Sequence, residues 1–259
     1  MFGMAQVTQD ARAVEWWAGP DRTPTGVPSP APPTGGGRLP HVLNRLLPYP
    51  VRSAEAYADA PDEASFPGEE QLVATAAPGR RREVLTARRC ARAALVALGH
   101  APAAILRGPR REPLWPAGVT GSITHCAGFR AAAVAHTRDV ASIGIDAEPH
   151  APLPPRVLGA VSTPADRDLL ARLAVTHPGV CWDRLLFSAK ESIYKAWYPL
   201  TGRWLGFEHA RLDIDPDAGT FTGHLAVDGP LTRLHGRHLV DRGLILTAVR
   251  VDQPGTAGR

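Results

Sequence analysis

An amphipathic helical pattern followed by several strand patterns occurs twice along this 259-residue chain. The first helical pattern covers residues 82–98 and stops at Gly99, and the second covers residues 182–198 and stops before Pro199. A further helix is expected to start at 67–70. The strand patterns cover residues 121–125, 129–136, 140–148, 210–214, 220–226 and 244–251. Two successive sets of helix and strands predict an α+β fold made of two similar halves.

The composition divides the chain into three segments. Residues 1–38 are rich in Pro, Gly and Thr and bury too little apolar surface for a core, so we expect a flexible extension. The two halves then cover 39–150 and 151–259, with the division in a Pro-rich stretch. Over the whole chain 44% of residues are hydrophobic and 21% are charged, which excludes a fibrous or wholly disordered protein.

The cysteines indicate a cytoplasmic protein, and the modest net charge implies no particular partner. The three cysteines form no closely spaced pair, which disfavours disulfides and a cysteine-ligated zinc site, and suggests reduced thiols. No apolar run approaches a membrane span, and residues 1–20 lack the features of a secretory signal. Arginines cluster at 80–82 and 107–111, yet the net charge is only +4, so a solvated face is the simplest interpretation of each cluster.

Asp146 and Glu148 alternate with apolar residues in the third predicted strand. Because successive side chains of a strand point to opposite faces, the two carboxylates share one face and lie roughly 7 Å apart. Two carboxylates repel each other unless a cation lies between them, and oxygen ligands suit a hard ion such as Mg²⁺. An ordinary exposed strand face is the alternative interpretation.

Both lysines of the chain lie in the second predicted helix, on either side of Glu191. An ion pair between Glu191 and Lys195 on the helix surface would contribute only about 0.2–0.5 kcal/mol. In a chain whose other cations are arginines, Lys190 and Lys195 also suggest a function, because a lysine is a compact charge that approaches a phosphate closely.

Ser122, Thr124 and His125 follow one another at the end of the first strand after the arginine-rich helix. Two hydroxyls and an imidazole are able to bind a phosphate, although a single histidine is more often structural. No G-x-S-x-G pattern surrounds Ser122, which disfavours a serine nucleophile. The chain also has no Walker loop, no dinucleotide-binding fingerprint and no H-E-x-x-H pattern.

The order of these motifs is more specific than any one of them. An arginine-rich helix, G-S-x-T-H-C, G-I-D-x-E and F-S-x-K-E-x-x-Y-K-A-W follow one another. This order resembles the 4′-phosphopantetheinyl transferase superfamily, in particular the two-half Sfp/EntD type and its actinobacterial members, over residues 43–251. The resemblance implies a pseudo-dimer of two α+β halves that binds coenzyme A in the cleft between them.

The resemblance also implies the reaction and its catalytic residues. Such enzymes transfer the 4′-phosphopantetheine group of coenzyme A to a serine hydroxyl of an apo acyl or peptidyl carrier protein, and release adenosine 3′,5′-bisphosphate. Asp146, Glu148 and Glu191 would bind Mg²⁺, with Mn²⁺ left open. Glu191 would also accept the serine proton, directly or through water, and Lys195 would hold the pyrophosphate.

The same resemblance assigns the residues that contact coenzyme A. Lys190 would lie near the pyrophosphate, and the 3′-phosphate and nucleotide would meet basic side chains, with Arg107 and Arg110 as alternatives for one contact. The complete set is Arg80, Arg88, Arg107, Arg110, Ser122, Thr124, His125, Asp146, Lys190 and Lys195.

Three other functions compete with this interpretation. A non-catalytic coenzyme A-binding protein of the same fold would lose acidic or lysine positions, and all of them are filled here. A nucleic-acid-binding protein would need stacking aromatics, which are only 6% of the chain. Another Mg²⁺-dependent phosphotransferase would need a triphosphate-binding loop, which this chain does not have.

We expect a monomer, because the second half already supplies the partner surface. We expect no nucleic-acid or membrane partner, and a role in polyketide or nonribosomal peptide biosynthesis.

Overall fold

A computed structural model describes residues 42–254, so the predicted extension at 1–38 lies outside the described residues. Within this range the α-helices are α1 (Pro78–Ala97), α2 (Pro155–Val161), α3 (Pro164–Thr176) and α4 (Trp182–Thr201). The β-strands are β1 (Arg52–Ala56), β2 (Leu106–Arg107), β3 (Pro113–Leu114), β4 (Val119–Cys126), β5 (Phe129–His136), β6 (Val140–Pro149), β7 (Ala210–Asp215), β8 (Thr220–Leu225), β9 (Arg233–Asp241) and β10 (Leu244–Asp252). The predicted α+β class is confirmed. No helix between residues 42 and 254 has both the length and the hydropathy needed to cross a membrane.

The first sheet has the strand order β1-β5-β4 and packs against α1. Its central strand, β5, is alanine-rich and covered on both faces. Ala132 and Val134 pack against α1, whereas Ala131, Ala133 and Ala135 pack into the core that β6 and β10 share. Small side chains on both faces let the two layers approach β5 closely.

The second sheet has the strand order β6-β10-β9-β8-β7, and all its pairs are antiparallel. Helix α4 covers one face, where Ile193 and Trp197 are fully buried. Strand β6 precedes this half in the sequence, yet its ladder partner is β10. The last strand of the predicted segment 39–150 is therefore an edge of the second sheet.

The two sheets meet along β4 and β6 through side chains. The backbone N–H of Ile145 donates to Ser122 Oγ over 3.1 Å, and the N–H of Ala147 donates to Thr124 Oγ1 over 3.0 Å. Two hydroxyls thus satisfy edge groups that a neighbouring strand would otherwise satisfy. Asp146 lies between the two amides, so this seam determines where its carboxylate is placed.

Helix α4 lies unusually close to β6. A Cβ atom on Gly144 would overlap the carbonyl oxygen of Ser192 and lie 2.7 Å from the backbone nitrogen of Ala196. The Ser142 hydroxyl donates to the carbonyl of Ala196 over 2.7 Å, so hydrogen bonding reinforces the contact. The glycine of the G-I-D-x-E motif is needed because a backbone passes over it.

Several predicted elements differ from the structure. The expected start at 67–70 is only a 3₁₀ turn at Glu70–Leu72. Helix α4 continues past Pro199, because burial of Trp197 holds this turn and the Thr201 hydroxyl donates to the Trp197 carbonyl. Strand β9 escaped prediction because Gly236 occupies an inward position, where a side chain would overlap the ring of Phe221.

We predict that Gly144→Ala lowers the free energy of unfolding by about 2–3 kcal/mol, because neither helix nor strand backbone has room for a methyl group. Gly159→Ala is the matched control: a Cβ there meets nothing within 4 Å, and alanine should stabilise α2 by about 0.5–1 kcal/mol. Urea unfolding of both variants measures the difference. Equal free energies of unfolding for the two variants would show that there is room for a methyl group between α4 and β6.

Candidate active site

Asp146 and Lys195 form the centre of the site. Lys195 Nζ lies 2.7 Å from Asp146 Oδ1 and also donates to the carbonyl of Ile145 over 3.1 Å. Asp146 is only 5% exposed. Burial lowers the pKa of Lys195, but the carboxylates of Asp146 and Glu191 outweigh this effect and raise the pKa above its ordinary value. Lys195 is therefore a permanent positive charge at this point.

Glu148 lies on the same face of β6 as Asp146 and contacts a different cation. Arg184 Nη1 donates to Glu148 Oε2 over 2.8 Å. Burial and the charge of Asp146 raise the pKa of Glu148 to about 7, although Arg184 opposes both effects. Like charges that lie close together away from water repel each other, and a bound cation relieves this repulsion.

Glu191 lies on α4, one helical turn before Lys195. Burial and the charge of Asp146 raise the pKa of Glu191 to about 7, although the charge of Lys195 opposes them. Glu191 also acts on the pKa of Glu148, so the three carboxylates interact electrostatically, and their joint binding of a metal ion stays a prediction. Three carboxylates then face two cations, Arg184 and Lys195, which leaves a net negative charge when all are ionised.

The donor set fits a divalent cation. Asp146 Oδ2 is buried without a hydrogen-bond partner, although nearly all such buried oxygens have one. Carboxylate oxygens are the ligands that Mg²⁺ and Mn²⁺ share. Among residues 42–254, no three His, Cys, Asp or Glu side chains are already gathered at metal-binding distance. Arg184 and Lys195 each pair with one of these carboxylates, Glu148 and Asp146 respectively.

These groups open into a cleft of about 1670 Å³ that both halves line. This volume exceeds the roughly 300–1,000 Å³ of a typical drug-sized pocket and suits a long substrate. Every residue that the sequence assigned to the site lines this cleft: Arg80, Arg88, Arg107, Arg110, Ser122, Thr124, His125, Asp146, Glu148, Lys190, Glu191 and Lys195.

Basic groups from the first half gather at one part of the cleft. Arg80 Nη1 donates to His125 Nε2 over 2.8 Å, and burial, followed by the charges of Arg80 and Lys195, places the pKa of His125 well below its ordinary value. Burial and the charges of Arg107 and Arg80 lower the pKa of Arg88 to about 10, although the charge of Glu69 opposes this shift. Mutual repulsion among these cations favours a bound anion.

Three predicted contact residues have other partners in the structure. Lys190 Nζ donates to Asp166 Oδ2 over 2.6 Å and to the carbonyls of Val161 and Phe207, so its three donors are all used. The hydroxyls of Ser122 and Thr124 accept the β6 amides. Contact of these three groups with coenzyme A stays a prediction. Lys190 would first have to exchange a hydrogen bond, and the Thr124 hydroxyl donates to Asp146 Oδ1 over 3.5 Å, whereas the Ser122 hydroxyl still has its own proton to donate.

Arg184 is the residue of this site that sequence reasoning missed. It precedes Glu191 by seven residues and Lys195 by eleven, so at 100° per residue all three share one stripe of α4. This periodicity was a usable signal. It was hidden because arginine is abundant in the chain, whereas lysine is rare.

Comparison with known proteins identifies the family. A model described as "4′-phosphopantetheinyl transferase N-terminal domain" matches residues 68–135. A second, described as "4′-phosphopantetheinyl transferase superfamily", matches residues 142–248 and therefore contains most of β6, all of α4 and the carboxylates. This chain belongs to the 4′-phosphopantetheinyl transferase superfamily.

Curated relatives match the transferase over nearly their whole length. It is 54% identical to 4′-phosphopantetheinyl transferase Svp of Streptomyces mobaraensis, over 83% of this chain and 92% of the relative. PptT of Mycobacterium tuberculosis is 49% identical over 76% of this chain and 90% of its own length. Npt of Nocardia iowensis is 48% identical over 80% and 99%. The predicted family, its actinobacterial character and the enzyme class are confirmed.

The two lysines of the transferase should respond differently to substitution. Lys190→Met leaves Asp166 buried without its cation and should lower the free energy of unfolding by about 3–5 kcal/mol. Lys195→Met, whose side chain borders the open cleft, should abolish transfer at a smaller cost in stability. Urea unfolding and a carrier-loading assay measure the two effects. A stable Lys190→Met variant with a raised KM for coenzyme A would instead support the phosphate contact predicted for Lys190.

Proposed function

We propose that this enzyme transfers the 4′-phosphopantetheine group of coenzyme A to a serine hydroxyl of an apo acyl or peptidyl carrier protein and releases adenosine 3′,5′-bisphosphate. The observation that carries the assignment of the site is the convergence of α4 and β6. Their residues Asp146, Glu191 and Lys195 lie together on the cleft, and the basic cluster of Arg80, Arg88 and His125 lines the same cleft. The basic cluster suits phosphate binding, and the residues of α4 and β6 suit proton transfer and the stabilisation of developing charge.

Coenzyme A has negative charge at two places, its 3′-phosphate and its pyrophosphate. The basic cluster of Arg80, Arg88 and His125 would bind the 3′-phosphate and nucleotide, with Arg107 or Arg110 closing over them. Lys195 would hold the pyrophosphate. Binding at the 3′-phosphate and at the pyrophosphate, which contains the reacting phosphorus, fixes the orientation of that phosphorus before the reaction.

The carboxylates Asp146, Glu148 and Glu191 would hold Mg²⁺, and Asp146 Oδ2 is a buried oxygen without a hydrogen-bond partner. When bound, the ion neutralises pyrophosphate charge and stabilises the charge that develops on the leaving phosphate. Mn²⁺ presents the same preference for oxygen and would substitute.

The transfer itself needs a base and a stabilised leaving group. Glu191 would accept the carrier serine proton directly or through a water. The serine oxygen bonds to the phosphorus that carries the pantetheine arm, and the bond from that phosphorus to the bridging oxygen breaks. The electron pair leaves on adenosine 3′,5′-bisphosphate, where Lys195 stabilises the new charge.

We further propose a cytoplasmic monomer, because reduced cysteines indicate the compartment and the second half already supplies a partner surface for the first. The described cysteines Cys90, Cys126 and Cys181 are free thiols, in agreement with this proposal. Polyketide or nonribosomal peptide synthases are the carrier sources we expect.

We predict that Glu191→Gln lowers kcat about 10²–10⁴-fold while the protein stays folded, because the base is lost without a change in shape. Asp146→Asn should be similarly inactive. Glu208→Gln, on an exposed turn, is the matched control and should keep full activity. The intact mass of apo carrier protein after incubation with coenzyme A and Mg²⁺ measures transfer, and EDTA should abolish the wild-type mass gain. Substantial loading by either site variant would refute this assignment, and coenzyme A binding without wild-type loading would favour a non-catalytic binder.

The excess of basic groups should also affect carrier recognition. Carrier proteins are acidic around their serine, so salt should raise the KM for the carrier while kcat at saturating carrier changes little. Steady-state kinetics between about 50 and 300 mM NaCl, at saturating coenzyme A, measure this split. Equal effects on both constants would show that charge does not guide the encounter.

A further inference from the structure

Arg184 is a buried arginine whose guanidinium joins three groups at the boundary between the halves. Nη1 donates to Glu148 Oε2 over 2.8 Å, Nε to the carbonyl of Ala151 over 2.9 Å, and Nη2 to the carbonyl of Pro152 over 2.9 Å. The residue is only 8% exposed. Its planar fork therefore binds a proposed metal ligand and the chain that follows it at the same time.

The chain that follows Glu148 can donate few backbone hydrogen bonds of its own. Prolines at 149, 152, 154 and 155 have no N–H group to donate, so this connection cannot form a regular ladder. Its free carbonyls are satisfied by Arg184, and the N–H of Leu153 donates to Asp183 Oδ2 over 2.8 Å. The first turn of α4 thus holds both the end of β6 and the connection to α2.

We propose that Arg184 is a positioning residue, which fixes the Glu148 carboxylate beside Asp146 and thereby sets the affinity of the site for its divalent cation. This inference rests on the metal site proposed above. Arg184 would act through Glu148, the carboxylate to which it donates. Partners that orient metal ligands typically contribute 10–100-fold to metal affinity.

The direction in which metal affinity changes when Arg184 is removed distinguishes a positioning role from a purely electrostatic one. Arg184 carries a positive charge close to the proposed cation, so its charge alone opposes metal binding. Removal of that charge would then strengthen binding. If instead the arginine holds Glu148 in place, its removal weakens binding despite the lost repulsion.

The experiment measures Mn²⁺ binding by the electron paramagnetic resonance signal of free Mn²⁺, with saturating coenzyme A and no carrier protein. We expect Arg184→Gln to bind Mn²⁺ about 10–100-fold more weakly than the wild type. Arg184→Lys keeps the charge but cannot reach three acceptors in one plane, so it should also be weakened. This variant keeps the test decisive if Arg184→Gln does not fold.

Arg130→Gln is the matched control. Arg130 is 7% exposed and likewise bonds two carbonyls, those of Cys126 and Phe129, together with carboxylates, here Asp59 and Glu83. Its loss should lower stability, followed by thermal unfolding, without a change in Mn²⁺ affinity. An equal loss of affinity in Arg130→Gln would attribute the Arg184 effect to general destabilisation and overturn the proposal.

Glu148→Gln distinguishes failure of this inference from failure of the metal site. If Glu148→Gln leaves Mn²⁺ affinity unchanged, the proposed site is wrong, and the role of Arg184 falls with it. If Glu148→Gln weakens binding but Arg184→Gln binds Mn²⁺ as tightly as the wild type, or more tightly, the site stands and the positioning role is wrong.

Discussion

The close approach of helix α4 to strand β6 is the constraint on which the rest of this enzyme depends. The two backbones meet at Gly144, where no side chain can be accommodated, and the Ser142 hydroxyl ties the strand to the helix. At this separation, side chains of the helix reach Asp146 and Glu148, which follow Gly144 by two and four positions in β6. The acidic face of one element and the charged stripe of the other are thereby brought into a single site.

Charge pairing in this site explains how its three carboxylates can be buried. Buried carboxylates are costly unless they are paired, and here two of three are paired with cations. The remaining cost appears in the raised pKa values of Glu148 and Glu191 and in the unpartnered Asp146 Oδ2. A fold that stores such unfavourable interactions is prepared for a ligand that removes them.

Much of this organisation could be predicted from local patterns. The alternation in β6 placed Asp146 and Glu148 on one face, and helical spacing placed Glu191 and Lys195 on one stripe. The sequence could not separate Lys190 from Lys195, because only tertiary packing shows that Asp166 of α3 lies beside the former. Nor could it show that Ser122 and Thr124 join two sheets, since a hydroxyl has the same pattern whether it binds a phosphate or a backbone amide. Strand β9 was not predicted because its inward positions include glycine and histidine. It therefore lacks the alternation of apolar and polar residues that indicates a strand.

The membership of β6 in the second sheet bears on how such a chain could be divided. The first family model ends before the turn at 137–139, and the second begins within β6. A cut in that turn would leave each fragment with a complete set of paired strands. A cut after residue 150 would remove β6 from β10 and leave a long unpaired strand, which is prone to pair with other chains. The boundary visible in the amino-acid composition and the boundary at which this protein could be taken apart are therefore different places.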